Sequence, residues 1–193
     1  MQRPGHLDPR SPLVVDTYEL GRRPGSSRTE RRTVPAPADL GTVVIGVPEG
    51  SDLELDLRLE AVTEGVLVSG SVSGRVVGEC VRCLDEVLDE IEVALSELYV
   101  YPERAAVAVE DGDEDEQDMR ELEGDLLDLE PALRDAVVPA LPFQPVCRPD
   151  CAGLCPECGV RLDDEPGHVH ETLDPRWAAL GGLTGPDDET RES

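Results

Sequence analysis

Six cysteines in two clusters hold most of the chemical potential of this chain. Cys80 and Cys83 form a C-x₂-C pair, and Cys147, Cys151, Cys155 and Cys158 follow in the run C-R-P-D-C-A-G-L-C-P-E-C-G. A tight C-x₂-C turn lets two sulfurs point at one centre, so such turns are common half-sites of tetrahedral zinc. In Cys155–Gly159 the glycine after the second cysteine supplies a backbone conformation that a side chain resists. Backbone N–H groups of such a turn also bond to the sulfurs. His168 and His170 stand beyond Cys158 as H-V-H, so six cysteines and two histidines offer eight ligands, enough for two four-coordinate sites.

The preferred partition places Cys80, Cys83, Cys147 and Cys151 around one ion, and Cys155, Cys158, His168 and His170 around the other. Adjacent turns on one short segment do not easily face the same ion, whereas Cys80 and Cys83 need partners from elsewhere. A rival is a single zinc ribbon of Cys80, Cys83, Cys155 and Cys158, with Cys147 and Cys151 spare. The histidines also read as surface residues of a polar loop. An open catalytic zinc site keeps one position for water beside a general base, and nothing in this sequence has that pattern. There is no H-E-x-x-H, no glycine-rich phosphate loop and no nucleophile elbow. A thioredoxin-like role for Cys80 and Cys83 needs a helix starting at the first cysteine, and strand-like surroundings argue against it. The expectation is one or two structural zinc ions and no catalysis.

Charge narrows the choice of partner. The chain has 193 residues, 17 basic and 43 acidic, for a net charge of −26, and only 3% aromatics. Nucleic-acid binding wants basic patches and stacking platforms, so a basic protein suits the field better. The exception is the start: residues 1–38 carry seven arginines (Arg3, Arg10, Arg22, Arg23, Arg28, Arg31, Arg32) against four acids, a local +3 that leaves −29 for the rest. This arm is where RNA phosphate would be touched; its plainer reading is a solvated tail. The start has no signal-like apolar stretch, and no segment nears the roughly 18 apolar residues of a membrane span. The expected location is the cytoplasm, where clustered cysteines more often bind metal than form disulfides.

The elements that must position these residues follow from patterning. Leu53, Leu55, Leu57, Leu59 and Ala61 alternate with Glu54, Asp56, Arg58 and Glu60, the period of a half-buried strand. Glu64-Gly65 signals a turn into a second strand, Val66–Val77, with which it forms a hairpin. Val87–Tyr101 suits a strand through Ile91, Val93 and Leu95, or a helix through Leu88, Ile91, Leu95 and Leu98; the strand is preferred. Seven of the nine residues Glu110–Asp118 are acidic, so that stretch reads as a disordered loop. A short helix is expected next, with Asp128 as cap, Pro131 in its first turn, Leu133 and Val137 on one face, and Pro139 as its end. Asp174–Leu180 reads as a last helical turn around Trp177.

The fold expected is α+β: a mainly antiparallel β-sheet domain with a short helix and a C-terminal zinc-knuckle module. Its parts are a basic amino-terminal arm (1–38), the antiparallel β domain (39–104), an acidic loop (105–124), the helix with the Cys-rich metal-binding module (125–183) and a disordered tail (184–193).

The stretch G-E-C-V-R-C-L at Gly78–Leu84, followed by L-P-F-Q-P-V-C-R-P-D-C-A-G-L-C-P-E-C-G at Leu141–Gly159, resembles the YceD family of large ribosomal RNA subunit accumulation proteins. D-P-R-W-A-A-L at Asp174–Leu180 fits as well. R-R-P-G-S-S-R at Arg22–Arg28 and V-I-G-V-P-E-G at Val44–Gly50 look like its actinobacterial branch. The resemblance implies a bacterial and plastid factor needed for normal 23S ribosomal RNA levels, with no catalytic activity assigned. Relatives that lack G-L-C-P-x-C-G keep the C-x₂-C and a later His/Cys pair, which falls here at Cys147 and Cys151. Others end the second knuckle with C-x-C, where this chain has His168-Val169-His170.

The functional expectation is a non-enzymatic, cytoplasmic factor in 50S biogenesis. It would bind a ribosomal protein, an assembly factor or precursor rRNA: its acidic surface would hold a basic ribosomal protein or assembly factor, and its arginine arm is the place for rRNA contact. The alternative is a zinc-dependent redox or metal-sensing regulator. A hydrolase or nuclease is the least favoured reading.

Overall fold

The computed structural model describes residues 7–104 and 119–170. Its contacts divide the chain into two compact units, Met1–Cys151 and Ala152–Ser193.

The larger unit is built on long antiparallel strands. The Leu53–Ala61 alternation becomes β5 (Asp52–Ala61), whose odd residues are buried and whose even ones are mostly exposed. It pairs on one side with β2 (Ser27–Pro35) and on the other with β6 (Gly65–Glu79). A tight return at Val62–Gly65, closed by Val62 N–H donating to the Gly65 carbonyl at 2.9 Å, joins β5 to β6. β6 then pairs along its whole length with β7 (Glu86–Val100), from Gly65↔Val100 to Glu79↔Glu86. That ladder settles the strand-or-helix choice: a strand satisfies the backbone groups of β6, which a helix there would leave unpaired.

Shorter pieces finish the sheet. β3 (Leu40–Gly41) and β4 (Ile45–Val47) form a small hairpin, and β4 pairs with β6 beyond the end of β5. β8 (Arg120–Glu121) lies parallel to the end of β7. β1 (Val14–Asp16) and β9 (Leu126–Asp128) make a separate two-stranded ribbon. The described architecture is thus mainly antiparallel β.

The core forms on one face of the sheet. Leu53, Leu55, Leu57 and Leu59 meet Val68, Val72, Val93, Leu95 and Tyr99, with Val15, Leu127, Leu129, Leu133 and Val137 in the same cluster. Helix α1 (Glu130–Ala140) buries Ala132, Leu133 and Val137. The Asp128 carboxylate accepts the Glu130 N–H at 2.9 Å, though Leu129 is the residue at the cap position itself. Pro131 lies in the first turn, and the helix runs one residue past Pro139. The proline removes a single N–H at the very end, where little helix remains to lose.

The basic amino-terminal segment contributes β1 and β2, and several of its arginines have acidic partners. Arg31 meets Asp56 at 2.9 Å, Arg28 meets Glu30 at 2.9 Å, and Arg32 pairs with Glu30 as well. Arg22 reaches Glu103 at 3.1 Å while its guanidinium lies 4.7 Å from the centre of the Tyr101 ring. Glu110–Asp118 and Asp174–Leu180 fall outside the described residues.

Tyr99 ties the sheet to the ribbon. Its ring is fully buried, and its hydroxyl donates to the Asp128 carbonyl at 2.8 Å. Burial, opposed by Arg120, raises its pKa well above the usual phenol value, so the donor stays protonated. Tyr99→Phe is expected to cost about 1 kcal/mol. Urea unfolding should show the midpoint fall with an unchanged slope; an unaltered midpoint would mean that the bond contributes nothing.

Candidate metal centres

The turn that joins β6 to β7 is the first C-x₂-C. Cys80 follows the last ladder pair and Cys83 precedes Glu86. Cys80 N–H donates to the Asp85 carbonyl at 2.8 Å, and Leu84 N–H donates to the Cys80 carbonyl at 2.9 Å. The second pair arrives from the segment after α1, anchored by Val81 N–H donating to the Pro145 carbonyl at 2.9 Å. Arg82, inside the C-x₂-C, latches the Cys147–Cys151 loop: its guanidinium donates to the carbonyls of Pro149 at 3.2 Å and Cys151 at 2.9 Å.

The four sulfurs converge. Cys80 and Cys151 lie 3.9 Å apart, Cys83 and Cys147 3.6 Å apart, and all four lie within 4.8 Å of one another. Four sulfurs around a tetrahedral zinc at about 2.3 Å stand about 3.8 Å from each other. The observed spacing fits an ion, and it is too long for a sulfur–sulfur bond of about 2.05 Å. Cys80, Cys83 and Cys151 are buried beside Val87 and Val146, while Cys147 is exposed.

Backbone amides prepare the sulfurs for ionisation. Burial works against the Cys80 thiolate, but the N–H groups of Cys147, Cys83 and Arg82 outweigh it and bring the thiol down to about 6. For Cys83 the Asp85 amide favours the thiolate. Burial and the neighbouring thiols prevail and push it up to about 12. One thiolate is therefore easily formed, and the next ones need a cation beside them. A dication among four thiolates leaves a net charge of about −2, which Arg82 and the inward amides partly offset.

The second cluster lies within the smaller unit. Gly159 N–H donates to the Cys155 carbonyl at 2.8 Å, as Leu84 N–H does to Cys80, and Gly159 takes φ 75°. Cys155 N–H donates to the Val160 carbonyl at 2.8 Å, and Leu154 bridges Arg161. His168 and His170 place their Nε2 atoms 3.3 and 3.2 Å from Cys158 Sγ and 2.8 Å from each other. Their Nδ1 atoms turn the other way, towards Glu165 at 3.4 Å and Glu157 at 3.5 Å. A carboxylate on Nδ1 fixes the tautomer that leaves Nε2 free for a metal. The amides of Cys158 and Glu157 hold the Cys155 thiol down at about 6 despite burial.

The structure therefore brings together Cys80, Cys83, Cys147 and Cys151, and separately Cys155, Cys158, His168 and His170. The single ribbon of Cys80, Cys83, Cys155 and Cys158 is not what it forms. Both donor sets have the chemistry and spacing of sites that can hold a metal ion. Sequence reasoning missed Arg82, Glu157 and Glu165. The only available signal was position: Arg82 and Glu157 each sit between the two cysteines of a C-x₂-C.

Comparison with known proteins places this geometry in a family. Residues 68–184 match the model of the large ribosomal RNA subunit accumulation protein YceD. The chain belongs to the YceD family. It is 49% identical to uncharacterized proteins of Mycobacterium bovis and Mycobacterium tuberculosis, over 93% of this chain and 85% of theirs. An uncharacterized protein of Mycobacterium leprae is 43% identical over 92% of this chain and 80% of its own. No solved structure matches. The YceD match begins inside β6 and covers all eight residues of the two clusters.

Two outcomes are expected. Arg82→Ala should free the Cys147–Cys151 loop and lower metal affinity at the first centre by roughly 10- to 100-fold. A chromophoric chelator in competition would measure this, and an unchanged affinity would reduce Arg82 to a surface contact. The second outcome concerns pH. Thiols depressed in the fold stabilise the metal-free protein above the ordinary thiol pKa, and this contribution disappears as pH falls through about 6. Thiolate absorbance of the metal-free protein should show an ionisation near pH 6 that Cys80→Ser and Cys155→Ser each diminish. A single step at the ordinary thiol value would show that the amides do not hold the thiolates.

Proposed function

We propose that this YceD family member is a non-enzymatic factor in large-subunit biogenesis that supports 23S ribosomal RNA accumulation by binding a basic ribosomal protein or assembly factor. The observation that carries the reading is the match of residues 68–184 to a family described as large ribosomal RNA subunit accumulation proteins. The net charge of −26 favours a basic partner over direct contact with RNA phosphate. Arg22, Arg28, Arg31 and Arg32 have acidic partners within the chain, which weakens the amino-terminal arginines as an RNA-binding arm. The cytoplasm, where ribosomes are assembled, is the proposed location; among the described residues no helix is long and apolar enough to cross a membrane.

Two structural zinc ions complete the proposal. Cys80, Cys83, Cys147 and Cys151 hold one, and Cys155, Cys158, His168 and His170 hold the other. Each set supplies four protein ligands, which closes the coordination sphere to water and suits folding rather than catalysis. Thiolate-rich tetrahedral sets also suit iron, so the identity of the metal is part of the test. Binding an ion contributes directly to folding, because ligands so far apart in the chain do not converge in the unfolded state.

Loss of the gene should lower 23S ribosomal RNA, and affinity capture should recover a basic large-subunit protein or assembly factor. Unchanged RNA with no such partner would sink the assignment. Elemental analysis should find two zinc ions per chain, with Cys80→Ser and Cys155→Ser each losing one and keeping the other. A metal-sensing regulator is the second reading, favoured by the exposure of Cys158 and Cys147. Release of metal by mild oxidant at low concentration would support it.

A further inference from the structure

Strand β7 has one side of its ladder open. β6 pairs with all of it, but among the described residues β8 reaches only Tyr99 and Val100. Three bonds show which backbone groups are free. Val100 accepts from Leu122 N–H on the β8 side at 3.0 Å. Tyr101 N–H donates to the Glu64 carbonyl at 2.9 Å, and Asp85 accepts from Cys80 N–H at 2.8 Å, both on the β6 side. Alternation along the strand then directs the N–H and C=O groups of the even-numbered residues, from Glu86 to Leu98, away from β6. One of these donors is already taken: Asp89 accepts the Glu90 N–H at 2.8 Å.

The edge is acidic. β7 carries Glu86, Asp89, Glu90, Glu92 and Glu97 with no base. Glu97 lies 3.6 Å from Arg120. Arg75, across from Glu90, is the one base of β6.

The end of the edge nearest Cys83 is apolar. Leu84 and Leu88 are each 63% exposed, and across β6, in the turn between β3 and β4, Val43 is fully exposed. Leu84, Val43, Val77 and Glu86 line one shallow groove, and Leu88 stands opposite Val77 in the ladder. Leu84 also takes φ 64°, a left-handed conformation disfavoured for any side chain, where the second turn has Gly159. The Leu84 amide closes the turn, but its exposed side chain buries little on folding in a position that suits glycine, and that side chain is therefore a candidate for binding.

We infer that the free edge of β7 and its apolar end form a docking site for an extended, Lys- or Arg-rich segment of a partner protein, which pairs as an added strand. Strand addition supplies affinity through the backbone, and side-chain contacts supply selectivity. Charge decides against the alternatives. A second copy would oppose its own acids, and single-stranded nucleic acid is a polyanion. Of the remaining segments of this chain, residues 105–118 hold seven acids and no base and residues 171–193 six acids and two bases, while residues 1–6, with Arg3 and no acid, are too few to match a strand. The inference rests on the proposed holding of a basic protein and specifies where that protein binds.

A synthetic peptide of alternating lysine and valine, of about ten residues to match a strand, is the probe. On titration, amide NMR shifts should move at Leu88, Glu92, Ala94 and Ser96, with little change on β2. The double variant Glu90→Lys, Glu92→Lys should weaken binding roughly tenfold. Ala94→Pro, which removes an outward N–H, should weaken it similarly; if that variant is poorly folded, the lysine variant decides. Leu84→Gly should raise the melting temperature and yet weaken binding, a combination that a purely structural leucine does not give. Shifts elsewhere, wild-type binding by these variants, or pairing with a second copy would overturn the inference.

A cellular test separates this inference from the functional reading. If loss of the gene leaves 23S ribosomal RNA unchanged, the reading fails and the peptide result alone decides the docking site. If RNA falls and the lysine variant restores it fully, the docking site fails and the reading stands.

Discussion

The β6–β7 ladder is the constraint on which the rest depends. Its pairing runs unbroken from Gly65↔Val100 to Glu79↔Glu86, so the turn that closes it has no freedom of register. That turn is the first C-x₂-C. The placement of Cys80 and Cys83 is therefore set by the same hydrogen bonds that build the sheet, and a slip of one residue would turn the core face of β7 outward. Tyr99, near the other end of the hairpin, fastens β7 to β9 and so to the helix that follows. Chain direction after α1 then brings Cys147 and Cys151 back to the turn, where Val81 and Arg82 hold the incoming loop.

The two cysteine turns show how one local geometry serves different surroundings. Both close with an amide donating back to the carbonyl of the first cysteine, and both place a left-handed residue after the second. In the larger unit the sulfurs are mostly buried, and the latch is a guanidinium. In the smaller unit two imidazoles complete the set, and carboxylates orient them. The family match covers both turns of this chain.

Much of this was legible in the sequence. Alternation over Leu53–Ala61 marked β5, because a sheet with one wet face has period two. The grouping of four cysteines and of two cysteines with two histidines followed from which turns can face one another. β7 was ambiguous because Leu88, Ile91, Leu95 and Leu98 also satisfy a helical period; only its pairing with β6 resolved the conflict. The destination of the arginines was not legible. Arg22 finds Glu103 and Arg31 finds Asp56, far along the chain, and local composition says nothing of partners brought in by folding. Leu84 was hidden too, since a left-handed leucine has no sequence signature.

Of the four cysteines in the first cluster, Cys147 alone is an exposed residue. An ion held there would be sheltered beside the buried Cys80, Cys83 and Cys151 by Val87 and Val146. Exchange would then begin at a single bond: a competing ligand must first displace Cys147 and only afterwards reach the three sheltered thiolates. The lifetime of such a centre would then depend first on how firmly Arg82 holds the Cys147–Cys151 loop, and not only on the combined strength of four bonds. Slow turnover and tight binding thus become separately adjustable properties.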